Sequence, residues 1–126
     1  MSTKYTDEHV WIRPDSVDTT LATVGITVHA QETLGDIVFV DLPEIGKAIA
    51  AKAVGGVVES VKAAADVFMP AGGTVVEVNE ALRADPALAN SDPLGAGWFF
   101  KVRLDNAAEL DALMDEAAYA AFSAHV

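Results

Sequence analysis

Apolar positions along the chain fall mostly in short runs, each closed by a residue that interrupts a strand. VWIR at 10–13 stops at Pro14, LATV at 21–24 stops at Gly25, and IVFVDL at 37–42 stops at Pro43. β-Branched and aromatic residues dominate these runs, as half-buried strands require. Residues 55–61 and 66–69 read as the two arms of a hairpin, which puts Lys62, in the KAAA segment between them, at or beside its tip. Pro70 and Gly72-Gly73 mark the next turn, TVVEV at 74–78 is a further strand, and WFFKVRL at 98–104 is the last.

Helical signals are fewer. Thr27 can cap and Gly35 can end a helix of about two turns. Residues 79–97 hold Pro86, Pro93, Gly95 and Gly97 with little periodicity, and read as a long surface connection with one helical turn. The C-terminal stretch predicts a helix capped by Asn106 with Glu109 in a capping-box arrangement. Leu110, Leu113, Met114, Ala117 and Ala121 would share its inward face, and Asp115 could start a second short helix. The pattern predicts a mainly β chain, a small sandwich or barrel with a few short helices including a helical C-terminus. No repeat, low-complexity tract or linker divides residues 1–126, so one domain is expected.

The chain has 126 residues, 52% of them hydrophobic and 21% charged, which is globular rather than disordered composition. Alanine supplies 23 of the apolar residues, so the core is less bulky than that share implies. Asp and Glu number 19 against 8 Lys and Arg, a formal net charge of −11. So negative a surface repels phosphate backbones and anionic lipid, and suits docking on basic patches of other proteins. Cysteine is absent, which excludes disulfides, thiolate metal sites and cysteine nucleophiles. No apolar run reaches the roughly 20 residues of a membrane span, and the first residues carry no apolar signal region, so a cytoplasmic location is expected.

Catalytic signals are weak. His9, His29 and His125 show no metal-ligand spacing, and surface or packed histidines account for them. Asp111, Asp115 and Glu116 read as a solvated helix face, and Glu77 and Glu80 flank a strand end. No carboxylate pair stands out for acid–base work, and the glycine pairs lack phosphate-loop spacing. Lys62 is the one lysine in a short turn between two strand-like arms. Taken alone it is equally an exposed turn lysine and an amine held out for modification.

VESVKA at 58–63, followed by Asp66, closely resembles the lipoyl-attachment motif of the glycine cleavage system H protein family. Further blocks follow the family's order: Tyr5-Thr6, Glu8-His9 and Trp11, then TVGIT at 23–27, Ala30-Gln31, LGDIVFV at 34–40 and Leu42-Pro43. After the motif come VVEVN at 75–79, Asn90, Asp92-Pro93 and Gly97-Trp98, so the resemblance spans nearly the whole chain. Biotin-carrying hairpins instead resemble Ala-Met-Lys-Met around their lysine, which Val61-Lys62-Ala63 does not match.

The resemblance implies a small flattened barrel-sandwich hybrid with lipoate in amide linkage on Lys62. It implies a non-catalytic carrier that takes the aminomethyl group of glycine from glycine decarboxylase to the tetrahydrofolate-dependent aminomethyltransferase and is reoxidised by dihydrolipoyl dehydrogenase. Acylation would leave the formal charge one unit more negative than −11. Glu59 is similar to the acidic residue read by lipoate attachment enzymes, and Asp66 to the one near the loaded arm. Reversible docking of a monomer is expected, with no nucleic acid, membrane or metal partner. Two positions depart from the family. Val10 stands where an acid thought to shelter the arm is usual, and Ala65 where a hydroxyl is common. A relay that passes lipoate to other enzymes, and an unmodified binding or structural domain, are the alternative readings.

Overall fold

The computed structural model describes residues 3–124. Its strands are β1 (Lys4–Tyr5), β2 (Val10–Pro14), β3 (Leu21–Ile26), β4 (Ile37–Asp41), β5 (Ala48–Ile49), β6 (Val54–Ser60), β7 (Ala64–Phe68), β8 (Gly73–Val78) and β9 (Phe100–Leu104). Helices are α1 (Val28–Leu34), α2 (Glu80–Ala84), α3 (Leu88–Ser91) and α4 (Glu116–Ser123), with a 3₁₀ helix at Ala107–Ala112. A six-stranded sheet runs β1-β2-β3-β9-β8-β5, and a three-stranded sheet runs β4-β6-β7. All neighbouring strands are antiparallel. Among the described residues no helix is long and apolar enough to cross a membrane.

Alternation builds the core. Val10 and Ile12 of β2, Val24 and Ile26 of β3, and Phe100 and Val102 of β9 point inward from the large sheet. Ile37, Val40, Val58 and Val67 answer them from the small one. The result is the flattened, mainly β sandwich with short helices that the sequence implies.

Several elements differ from expectation. The strand of 21–24 does not stop at Gly25 but continues to Ile26, and Gly25 pairs with Trp11 in register. A Cβ at Gly25 would lie 2.6 Å from the Trp11 ring, so this glycine makes room for an aromatic rather than a turn. The Trp11 ring is fully buried, and its indole N–H donates to the Pro93 carbonyl at 3.0 Å. Residues 79–97 are therefore a cover over the sheet, with Leu82 of α2 and Ala89 of α3 completely buried. Helices of one turn that bury a single residue leave no periodicity to read.

The C-terminal stretch is two helices in different phases. Asn106 caps the 3₁₀ helix by accepting from the Ala108 amide. The capping box does not form, because the Glu109 carboxylate accepts from the Gly72 amide at 3.1 Å instead. Met114 then pairs with Tyr5, and Asp115 caps α4 afresh. The restart turns Tyr119 inward and leaves Ala117 and Ala121 exposed, so the expected apolar stripe exists only around Leu110 and Leu113. His125 lies outside the described residues.

Candidate functional site

Strands β6 and β7 pair from Val54–Phe68 to Glu59–Ala64, and the chain reverses over Ser60–Ala63. Lys62 stands on this tip, exposed. Ser60 builds the turn twice over. Its backbone N–H donates to the Ala63 carbonyl at 2.8 Å, and its hydroxyl accepts from the Lys62 and Ala63 amides at 3.3 and 3.1 Å. Neither Val61 nor Lys62 has a positive φ, so the turn needs no glycine; the serine hydroxyl satisfies the amides that such a turn leaves free.

The tip rests on the segment joining α1 to β4. The Val61 amide donates to the Asp36 carbonyl at 3.0 Å, and Ile37 pairs with Ser60. Gly35 ends α1 with φ 80° and ψ −152°, a conformation essentially reserved to glycine. The Lys62 stem lies over it: a Cβ at Gly35 would sit 3.6 Å from Lys62 Cε. One side chain clamps this junction from the cover. Asn90 of α3 donates to the Gly35 carbonyl at 2.8 Å and to Gln31 Oε1 at 3.0 Å, and accepts from the Ile37 amide at 2.8 Å. The sequence contained Asn90 as part of a resemblance but no sign of this role, since its partners lie more than 50 residues away.

Glu59 and Asp66 occupy the same outward face of the small sheet. Glu59 opposes Ala64, and Asp66 opposes Val57 one outward row further from the tip. Both carboxylates are exposed, and neither enters an ion pair or side-chain hydrogen bond among the described residues. Val10 is 1% exposed and belongs to the apolar cluster. An unpaired carboxylate there would cost several kcal/mol of desolvation, so position 10 contributes packing; Glu8, two residues earlier, is the exposed carboxylate at the entrance to β2. Ala65 packs against the core. Two open clefts, of about 600 Å³ beside Thr6, Glu8 and Phe68 and about 750 Å³ beside Pro43 and Gly55, lie toward the hairpin's other end and are not lined by Lys62, Glu59 or Asp66.

The histidines meet in a way that spacing did not reveal. His9, in left-handed backbone with φ 63°, stacks on His29 with ring centroids 4.4 Å apart. Its Nδ1 lies 2.6 Å from the Tyr119 hydroxyl, which also contacts the Thr27 hydroxyl at 2.8 Å. Burial, then the neighbouring His29, lower the His9 pKa below the ordinary histidine value. The neutral ring can accept from Tyr119, whose own pKa burial raises. Among the described residues no group of three or more potential ligands could hold a metal ion.

Comparison with known proteins bears on the whole chain. The family model described as glycine cleavage H-protein matches residues 3–126. A glycine cleavage system H protein of Chromobacterium violaceum is 58% identical over 117 residues, 93% of this chain and 90% of the relative. One from Parvibaculum lavamentivorans is 54% identical over 119 residues, 94% of this chain and 93% of the relative. The crystal structure of a glycine cleavage system H protein from Mycobacterium marinum superposes with a TM-score of 0.86 at 41% identity, covering 95% of this chain and 94% of the other.

Proposed function

The chain belongs to the glycine cleavage H-protein family, and from that premise we propose that residues 1–126 are one lipoyl-carrier domain with Lys62 as the attachment site. The observation that carries this reading is the place of Lys62: exposed, on a hairpin tip fixed by backbone and serine hydrogen bonds, within VESVKA. Its ammonium makes no salt bridge among the described residues, so nothing must be broken for an attachment enzyme to form an amide at Nζ. A rigid tip presents one amine in one direction, and the four-carbon stem supplies the freedom to swing.

Bound there, lipoate supplies the dithiol–disulfide chemistry that takes up the aminomethyl group of glycine at glycine decarboxylase, releases it at the tetrahydrofolate-dependent aminomethyltransferase, and is reset by dihydrolipoyl dehydrogenase. The protein's own part is position and recognition. Glu59, exposed on the lysine-bearing hairpin, serves the attachment enzyme as a charged marker. Asp66, on the same outward face, offers a carboxylate to a protonated amine on the loaded arm. Each visit to a partner enzyme is reversible, and tethering keeps the cargo at high local concentration between visits.

A second reading is favoured by Val10. Because that side chain is buried, the position supplies no carboxylate at the surface, as a relay that only passes lipoate onward would permit. Intact-mass spectrometry of protein from lipoate-sufficient cells should show one lipoyl adduct on Lys62. Lys62→Arg should lose the adduct and all carrier turnover with its melting temperature unchanged; turnover by this variant would refute the site. Adduct-bearing wild-type protein that supports no glycine decarboxylation with the three partner enzymes would identify the relay.

A further inference from the structure

The outward face around the hairpin tip holds an apolar group that the carrier reading does not use. In a regular strand Val38 and Phe39 would point to opposite sides, one of them into the core. Here the β4–β6 register slips between Ile37 and Phe39. The bulge leaves Ile37 and Val40 buried on either side, with Val38 54% and Phe39 49% exposed. Bulges of this kind re-aim side chains beside functional sites. Phe39 opposes Glu59, three residues before the lysine, and Ile37 opposes Ser60 at the base of the tip. Val61, 70% exposed, adjoins the same edge through its bond to Asp36. Val38, Phe39 and Val61 therefore form an apolar strip along the β4 side of the tip. Lys62 leans to that side, its Cε over Gly35.

The strip is rimmed by one sign of charge. Asp36, Asp41 and Glu59 are exposed beside it, and none enters an ion pair among the described residues. From Gln31 to Ala65 the only cations are Lys47, Lys52 and Lys62, and the first two belong to the connection at the opposite end of β6. An apolar strip inside a carboxylate rim is complementary to an apolar knob flanked by Lys or Arg.

We propose that this strip is the docking face for the enzyme that acylates Lys62, which meets Val38, Phe39 and Val61 with apolar side chains and the acidic rim with basic ones. The proposal rests on the carrier reading and goes beyond it. Reach selects this partner. The unmodified amine extends only a lysine stem from the tip, so an enzyme that acylates it must cover the residues beside the tip. Enzymes that meet the far end of the acylated arm are free to dock elsewhere.

The test follows acylation by a purified lipoate–protein ligase with ATP and lipoate, read as intact mass against time. Phe39→Ser and Val38→Ser should each lower kcat/KM by about tenfold, as truncating an interface anchor does, with melting temperatures unchanged because both side chains are half exposed. Val76→Ser, a partly exposed apolar residue on β8, should leave kcat/KM unchanged. Asp36→Asn should slow acylation at low salt and flatten its salt dependence. Wild-type protein fully acylated on Lys62 together with an unaltered Phe39→Ser rate would overturn the docking face and leave the carrier reading standing. A concentration-dependent dimer abolished by Phe39→Ser, with acylation unaffected, would assign the strip to a second copy and also overturn it. Wild-type protein that takes no adduct would overturn both.

Discussion

Asn90→Ala removes the one side chain that ties the cover to the platform under Lys62. Three bonds go with it: to the Gly35 carbonyl, to Gln31 and from the Ile37 amide. Ile37 is 4% exposed, so its amide is left without water access as well as without its acceptor. An unsatisfied buried amide costs about 1–3 kcal/mol, and each ordinary bond contributes about 1 kcal/mol net. Gln31 can turn to solvent, which leaves a total near 3 kcal/mol. For a chain of this size that is a fall in melting temperature on the order of 10 °C. The loss is local as well as global. Asp36 lies between Gly35 and Ile37 and accepts from Val61, so amide hydrogen exchange should accelerate at Ile37 and Val61 beyond the global change. Asn90→Asp separates the two halves: it keeps an acceptor for Ile37 while setting a carboxylate against the Gly35 carbonyl, so Ile37 should stay better protected than in the alanine variant. Urea denaturation and exchange measured by NMR would check this. A loss below about 1 kcal/mol in Asn90→Ala, with Ile37 and Val61 exchanging as in the wild type, would refute the clamp.

Other substitutions probe neighbouring claims. Gly25→Ala places a Cβ 2.6 Å from the Trp11 ring with backbone holding both residues, and should destabilise by about 1–3 kcal/mol in a thermal melt; an unchanged melt would show that the ring has room. Gly35→Ala has space but the wrong backbone, with φ 80° and ψ −152°, and should cost about 1–3 kcal/mol and perturb the Lys62 amide resonance. His9 has a lowered folded pKa, so its contribution is complete above the unfolded value of about 6.5 and is lost as pH falls below it. The melting-temperature gap between wild type and His9→Asn, which tolerates left-handed backbone, should therefore narrow from pH 8 to pH 5; a constant gap would count against the neutral His9–Tyr119 bond.

Much of the strand order was legible because each strand carries its own evidence. Alternation in β2, β3 and β9 and the breakers around β6 and β7 are local, and a hairpin's tip follows from its arms. That local logic placed Lys62 on the tip, and the glycine cleavage H-protein resemblance rested on blocks that include it. The two-residue strands β1 and β5 left no pattern to read, and neither did the one-turn helices α2 and α3. The continuous apolar stripe expected after Asn106 failed because Asp115 caps a new helix and resets its phase.

What the chain's order of residues determined by itself is the alternation, the turns and the exposed amine between two strands, since each depends on neighbours within a few positions. Only the tertiary structure decided that Asn90 holds the platform beneath that amine, that Tyr119 reaches back to His9 across 110 residues, and that a bulge turns both Val38 and Phe39 outward. Those outcomes depend on which distant backbone groups come to lie opposite one another. A hydrogen bond or a register slip has no counterpart in periodicity, because its partner is chosen by packing in space.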